Sequence, residues 1–462
     1  MDKDFFAGKN VLIMGLGRFG GGVDAAKFAC NAGSKVRVTD LASAADLRDS
    51  LKALQQFENI EFHLGSHDCA DFKWADVIIV NPAISLDNEF IEFARHHNKF
   101  VTSSVNIFFE LCPAQIIGIT GANGKSTTVA LTAHLLRNQL GKSVVRDTSI
   151  ENVWLSGNIG NEPLLAVTDQ IGADDLVVLE LSSFQAEWLA RIEKGPAVAL
   201  LTNLTPNHLD RHGTFAEYCR AKENIFRFQR PNEHWPAVSV FNGEDEVAAE
   251  WFDKYKEQKG RICIKFSSDD VAEEIRSRFN LPGRANLSNL AAAVTIARRF
   301  GVNDEQIKSC LPEFKPLAHR LEFVAEAGGV RWYNDSIATT PQSTIAALEA
   351  FEQPKIIIAG GYDKNLAFNQ LGEKIARNAK AAILLGQTSG KIADAISACP
   401  ANQAKIEMVG SLAEAVESAS RLAREGDVVL LSPACASYDM FDNFQHRGQE
   451  FARLVRESTS RL

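Results

Sequence analysis

The residues able to do chemistry in this chain gather where short apolar runs give way to glycine-rich or polar turns. The plainest case is Gly121-Ala122-Asn123-Gly124-Lys125-Ser126-Thr127. Small residues let backbone N–H groups converge on an anion, and a helix opening at the lysine presents its positive end to it. Lys125 supplies a point charge for terminal phosphates, and the Ser126 hydroxyl suits Mg²⁺. The full Walker spacing fails by one position, because Ile119 stands where the first glycine belongs. The shorter Gly121-x-x-Gly124-Lys125-Ser126 core is intact. Ile116, Ile117 and Ile119 before it form a buried-strand pattern, and Val129, Leu131, Leu135 and Leu136 after it have helical spacing. Strand, loop and helix in this order point to nucleotide phosphate binding.

Two further polar groups end apolar runs. Glu180 closes Leu176-Val177-Val178-Leu179, where a buried carboxylate is costly without a cation or hydrogen bonds. With a phosphate loop upstream, Mg²⁺ is its natural partner; the alternative is a strand-end glutamate facing solvent. His208 lies beyond the run 198–204, inside Thr205-Pro206-Asn207-His208-Leu209-Asp210-Arg211-His212-Gly213. It is expected to contact ligand or phosphate, against the alternative of an ordinary loop histidine. Lys222, on the helix that follows, reads from its surroundings as one more solvated lysine. Asn286 and Asn289 share a face at a helix start and read as a cap, with contact to a nucleotide base as the alternative.

Nearer the start, Asn10-Val11-Leu12-Ile13-Met14 leads into Gly15-Leu16-Gly17-Arg18-Phe19-Gly20. An alanine-rich helical stretch follows, then a strand ending in Asp40, placed to accept from a ribose hydroxyl. Further strands at 60–63 and 76–80 extend the alternation of a parallel α/β sheet. Any diphosphate carrying a sugar fits that turn, so NAD, another nucleotide and a purely structural turn all remain open. A dehydrogenase has no need of the phosphate loop. An ATP-using enzyme with a nucleotide-bearing substrate needs both sites.

These sites require elements to hold them, and 462 residues suffice for about three domains. Hydrophobic content of 45% supports substantial cores, and a net charge of −9 disfavours nucleic acid or an anionic membrane as partner. The opening residues lack a signal peptide's charged-then-apolar order, and no apolar run approaches the ~18 residues of a membrane span. Eight dispersed cysteines without a C-x-x-C pair fit free thiols in a reducing cytosol. Trp235, Trp251 and Trp332 are scattered and read as packing. Beyond Pro316 the α/β rhythm restarts, with strands expected at 355–359, 381–385, 405–409 and 427–431. Polar clusters there are Ala318-His319-Arg320, Asn334-Asp335-Ser336, Gly360-Gly361-Tyr362-Asp363-Lys364 and Ser432-Pro433-Ala434-Cys435-Ala436-Ser437. Cys435 has no evident partner histidine and reads as a buried thiol.

Together the phosphate loop, Glu180-Leu181-Ser182-Ser183-Phe184-Gln185, Asn207-His208-Leu209-Asp210-Arg211, His319-Arg320, Asn334-Asp335-Ser336 and the 432–437 cluster resemble the Mur ligases of peptidoglycan synthesis. The resemblance covers essentially the whole chain. It implies an α/β protein of three domains: a Rossmann-like UDP-substrate domain at 1–103, a central ATPase domain at 104–316 and a Rossmann-like glutamate domain at 317–462. The sequence looks most like members that add D-glutamate to UDP-N-acetylmuramoyl-L-alanine through an acyl phosphate. The residues carried over are specific. Gly121, Ala122, Asn123, Gly124, Lys125, Ser126 and Thr127 would hold the ATP phosphates, and Asn289, Arg320 and Asp335 the rest of ATP. Ser126, Glu180, His208 and a carbamylated Lys222 would hold two Mg²⁺ ions, with Lys125, His208 and Lys222 catalytic. Arg18, Phe19, Gly20, Asp40 and Asn158 would bind the UDP substrate. His319, Thr339, Lys364, Ser437 and Phe444 would line the glutamate pocket.

The resemblance also implies a cytoplasmic monomer acting on small molecules in cell-wall synthesis, growth and division. Three positions depart from the family pattern: Ile337 replaces a lysine, Asn207 an acidic residue and Ala285 a histidine. Ile337 bears on D- against L-glutamate, and an L-glutamate-adding relative is the nearest alternative. A folylpolyglutamate-type ligase conflicts with the UDP-type first domain. A P-loop kinase leaves the third domain unused, and an NAD-dependent oxidoreductase leaves the phosphate loop unused.

Overall fold

Runs of valine, isoleucine and leucine buried on both faces favour parallel strands covered by helices, and the protein builds three sheets from them. The computed structural model describes residues 3–17, 20–138, 143–145, 148–157, 163–231 and 236–459. The chain forms two compact units, Met1–Ala272 with Asn289–Leu311, and Glu273–Ser288 with Pro312–Leu462.

The first unit holds two sheets. Strands β1 (Asn10–Met14), β2 (Lys35–Asp40), β3 (Ile60–Leu64), β4 (Val77–Val80) and β5 (Phe100–Thr102) pair in parallel in the order β3-β2-β1-β4-β5. The order reverses between β1 and β4, so a crevice opens at their carboxyl ends, where ligands bind in such folds. The turn from Gly15 to Gly20 follows β1 there.

The chain continues through β6 (Gln115–Thr120), a small ribbon of β7 (Ser143–Val145) and β8 (Thr148–Ser149), then β9 (Val153–Gly157), β10 (Leu176–Glu180), β11 (Val198–Leu201), β12 (Ala237–Asn242) and β13 (Arg261–Phe266). The main sheet runs β13-β12-β11-β6-β10-β9, all parallel. β6 is central, with β10 and β11 on either side, so the phosphate loop, Glu180 and Thr202 emerge at one end of three adjacent strands. The edge strand β9 and the strands β5 and β13 had no clear sequence signal, being short or half exposed.

The second unit holds β14 (Glu322–Ala327), β15 (Val330–Asn334), β16 (Lys355–Ala359), β17 (Ala381–Leu384), β18 (Lys405–Met408) and β19 (Val428–Leu431), in the order β14-β15-β19-β16-β17-β18. The four expected strands are present. A hairpin is added: β14 pairs antiparallel with β15 through a bulge between Phe323 and Ala325, and β15 runs parallel to β19. The sheet is therefore mixed. Trp251 and Trp332 are core residues, and Trp235 lies outside the described residues. All eight cysteines are free. Among the described residues no helix is long and apolar enough to cross a membrane.

Candidate active site

The phosphate loop is shaped by the strand beside it. Ala122 N donates to Asn203 O at 2.8 Å and Asn123 N to Asn203 Oδ1 at 2.9 Å. Thr202 Oγ1 donates to Asn123 O at 2.6 Å. Gly121 has φ 151°, and a Cβ there would sit 1.9 Å from Thr202 Oγ1. Gly124, in the left-handed region at φ 79°, opens the helix Lys125–Arg137, and a Cβ on it would meet Asn289 Oδ1 at 2.2 Å. Only glycine fits either position. Lys125 Nζ donates to Ala122 O at 2.9 Å, folding across the loop.

Asn289 lies inside the helix Arg284–Arg299, as does Asn286, so neither is its cap, contrary to the simpler sequence expectation. Asn289 Oδ1 accepts from Thr128 Oγ1 at 3.2 Å, and Asn286 Nδ2 donates to Pro282 O at 2.7 Å. Asn289 thus packs against the phosphate loop itself.

Glu180 ends β10 at 2% exposure, and its Oε2 is buried with no hydrogen-bond partner among the described residues. The rest of its motif is a helix start. Ser182 and Gln185 form a reciprocal capping box for Ser183–Leu189, with Gln185 N on Ser182 Oγ at 3.2 Å and Ser182 N on Gln185 Oε1 at 2.9 Å.

Lys222 departs from the solvated lysine its sequence surroundings suggest. It is 2% exposed, on the inner face of the helix Phe215–Arg227. Its Nζ donates to Thr120 Oγ1 at 3.2 Å and lies 4.9 Å above the Tyr218 ring. Burial, and then the charge of Lys125, holds its pKa well below the ordinary lysine value, with Glu180 opposing.

His208 has φ 53° and caps the short helix Leu209–His212. Its ring lies 5.1 Å from Phe184 and 6.5 Å from Tyr218. Desolvation, then the charge of Lys222, lowers its pKa, which keeps the imidazole neutral and able to act as a ligand. His212 stacks on Phe184 and bonds Ser183 Oγ at 3.0 Å; burial first, then Arg211, brings its pKa to about 4. Asn207 Oδ1 accepts from His208 N at 2.9 Å, so this departure from the family pattern closes the turn locally.

Around the first sheet, Asp40 Oδ2 accepts from Gly17 N at 3.0 Å and Oδ1 from Ala42 N at 2.8 Å. The carboxylate braces the turn as well as facing it. Gly20, at φ 89°, precedes the helix Gly21–Asn31. Arg18, Phe19 and Asn158 lie outside the described residues. Arg211 joins this region to the central sheet: its NH2 donates to Ile84 O at 3.3 Å and to Glu187 Oε2 at 2.8 Å.

In the second unit, the ends of β15, β16 and β19 carry a polar network. His319 Nδ1 bonds Asn334 Nδ2 at 2.9 Å, and since the amide nitrogen can only donate, Nδ1 accepts. His319 N donates to Glu322 Oε2 at 2.8 Å, and Phe444 meets the His319 ring edge-on at 6.2 Å. Asp335 accepts from Ser432 Oγ at 2.8 Å and Leu321 N at 3.2 Å; burial raises its pKa to about 7, against Ser432 and the charge of Arg320. Ser437 is buried, Lys364 Nζ lies 5.8 Å above the Tyr438 ring, and Thr339 is half-buried just before the helix Pro341–Glu349. Cys435 is buried as expected, its thiol pushed up to about 11 by burial.

Arg447 is the residue sequence reasoning missed here. Buried on the helix Phe444–Thr459, it makes four hydrogen bonds, to Ser336 Oγ, Ser336 O, Ala436 O and Cys435 O. It shares the buried face of that helix with Phe451 and Val455, and an arginine on an apolar stripe was the available signal.

Comparisons with known proteins identify the family. A profile of the Mur ligase MurD-like N-terminal domain matches residues 9–103, one of the Mur ligase middle domain 119–297, and one of the Mur ligase glutamate ligase domain 319–435. A UDP-N-acetylmuramoylalanine–D-glutamate ligase from Roseiflexus sp. (strain RS-1) is 37% identical, covering 98% of this chain and 99% of that protein. The chain belongs to the Mur ligase family. A protein of the same description from Clostridium botulinum (strain Langeland) is 35% identical, covering 98% of each chain. The UDP-N-acetylmuramate–alanine ligase MurC of Thermotoga maritima shares the fold at TM-score 0.57 and 18% identity, over 97% of this chain and all of that one. MurF of Acinetobacter baumannii does so at TM-score 0.57 and 16% identity, over 91% of each.

As a Mur ligase, the chain gathers Lys125, Glu180, His208 and Lys222 into one electrostatic neighbourhood: Lys125 and Lys222 both act on His208, and Lys125 and Glu180 both act on Lys222. Thr120, Thr202, Asn203 and Tyr218 complete it. Among the described residues no three His, Cys, Asp or Glu side chains cluster as a ready metal site.

Proposed function

We propose that this Mur ligase joins D-glutamate to UDP-N-acetylmuramoyl-L-alanine at the expense of ATP, in the cytoplasm, as a monomer. The observation that carries the proposal is a buried Glu180 carboxylate oxygen, without a hydrogen-bond partner among the described residues, in the electrostatic neighbourhood of a buried Lys222 amine beside a phosphate loop. An unpartnered carboxylate oxygen in such a place is a fit for a cation. Burial disfavours the charged form of this lysine, which favours its attack on CO₂, and the carbamate would be a second anionic oxygen ligand. Ser126, Glu180, His208 and carbamylated Lys222 would hold two Mg²⁺ ions, which supply charge neutralisation for a transferring phosphoryl group.

The chain's own residues do the rest. Gly121 to Thr127 bind the ATP phosphates and Lys125 swings from Ala122 O to the γ-phosphate. Asn289, Arg320 and Asp335 hold the remainder of ATP. Gly20 and Asp40, with Arg18, Phe19 and Asn158, hold the UDP substrate and orient its alanine carboxylate. That carboxylate attacks the γ-phosphorus; the bond to the β–γ bridging oxygen breaks, leaving ADP and an acyl phosphate. The glutamate amine, placed by His319, Thr339, Lys364, Ser437 and Phe444, then attacks the acyl carbon, and phosphate leaves as the amide forms. Each of the domains 1–103, 104–316 and 317–462 would supply one reactant.

Support for D-glutamate comes from the names of the close relatives. A ligation assay offering D- or L-glutamate with UDP-N-acetylmuramoyl-L-alanine and reading ADP tests it. ADP release with D-glutamate alone is expected. Equal turnover with L-glutamate would move the enzyme to the alternative specificity that Ile337 raises.

A further inference from the structure

Thr120 is the last residue of β6, fully buried, directly before the phosphate loop. Its Oγ1 donates to Leu181 O at 2.7 Å, which commits the only proton the hydroxyl has. Lys222 Nζ is 3.2 Å from that same oxygen, so toward the lysine Thr120 can only accept. Among the described residues this is the single hydrogen bond made by Nζ. Among the described residues the amine's hydrogen bonding is therefore set by one group, with the Tyr218 ring 4.9 Å away, and that group's polarity is set by the neighbouring strand end.

We propose that Thr120 is a positioning residue that holds the Lys222 amine for reaction with CO₂ and then holds the carbamate in place. The inference rests on the carbamate assigned to Lys222 above. In the reaction the Nζ lone pair forms a bond to the carbon of dissolved CO₂. One C=O π bond becomes the second carboxylate oxygen's lone pair, and Nζ loses one proton to water. One N–H remains, and it is the one Thr120 accepts. A carbamate is planar, so anchoring that N–H fixes the plane in which both new oxygens lie. Conjugation also makes the carbamate N–H a stronger donor than an amine N–H. The Thr120 bond thus strengthens as CO₂ adds and opposes its loss. The hydroxyl cannot reverse its role while its proton stays on Leu181 O, so the site discriminates a donor from an acceptor at Nζ.

The test is a titration of the full-length protein with ¹³C-bicarbonate, reading the carbamate carbon by ¹³C NMR. Thr120→Val should need about five- to tenfold more CO₂ for half-carbamylation, the worth of one buried hydrogen bond. Thr120→Ser keeps the hydroxyl and should stay within about twofold of the wild type on the same grounds. Ligase activity of Thr120→Val should recover as bicarbonate rises, which damage to the phosphate loop alone would not do. Thr120→Val carbamylating at the wild-type CO₂ concentration would overturn the proposal. So would a Thr120→Ser shift as large as that of Thr120→Val, a comparison that stands if the valine protein folds poorly and Thr120→Ala replaces it. Absence of any carbamate signal in the wild type would instead remove the Lys222 carbamate itself, a distinct failure.

Discussion

The polar clusters of the central sheet and the last sheet are built on opposite principles. Among the described residues, Glu180 Oε2 in the central sheet has no hydrogen-bond partner, Lys222 Nζ has one, and His208 sits in left-handed backbone. At the last sheet His319, Asn334, Asp335, Ser432 and Arg447 bond mainly to one another and to backbone. Unmet bonding capacity marks a place whose occupant arrives from outside, and saturation marks a place that must keep its own shape. Under the proposed function the first would take metal and phosphate, and the second would border the amino-acid pocket.

If that contrast is right, substitutions in the two clusters should fail in different ways. Lys222→Ala should lower ligation on the order of 10³-fold, comparable to losing a main charge-stabilising group, while leaving the fold intact. Short carboxylates should restore part of the rate in an ADP-release assay; full activity without them would remove the contrast. Arg447→Met should instead cost about 3 kcal/mol in denaturant unfolding, because buried carbonyls lose their donor. Glu180→Gln should change unfolding free energy by less than about 1 kcal/mol, since the amide is nearly isosteric and Oε2 makes no hydrogen bond among the described residues. It should also abolish any rise in melting temperature on adding Mg²⁺.

The last prediction concerns pH. Burial raises the Asp335 pKa from 3.8 to about 7, so the folded state prefers the protonated carboxyl. Stability from this group is full below about pH 4 and is lost as pH climbs toward 7, with no further change above. Relative to Asp335→Asn, the wild type should lose unfolding free energy across that window, followed by denaturant titration at several pH values. An unchanged difference between the two proteins would place the titration elsewhere.

Much of this organisation was legible in the sequence because it depends on local order: an apolar run, then a turn, then a helix. The phosphate loop, the Gly15–Gly20 turn and Glu180 at its strand end are all of this kind. Lys222 was not legible in that way. Its spacing puts it on the stripe of Tyr218, Ala221, Ile225 and Phe226, but a lysine there also fits a solvated margin, and only the fold shows that it points inward toward Thr120. Asp40 was placed by spacing, but its bonds to Gly17 and Ala42 depend on how the turn closes. Asn289 misled for the opposite reason: a position near a helix start suggested a cap, while its actual neighbour, Gly124, is distant in sequence. The β14–β15 hairpin was missed because the charged, half-exposed 322–327 segment lacks the apolar run that marked the other strands.

That hairpin has a bearing on how the protein behaves at high concentration. An outer strand with free backbone groups is a template for a second chain. Here β14 carries Glu322 and Glu326 and is interrupted by its bulge, although Phe323 is 52% exposed. At the other edge, β18 is only four residues long and is flanked by the Lys405–Glu407 and Arg421–Glu407 ion pairs, with Met408 exposed. Charge, brevity and a broken ladder all oppose pairing of either margin with a second chain.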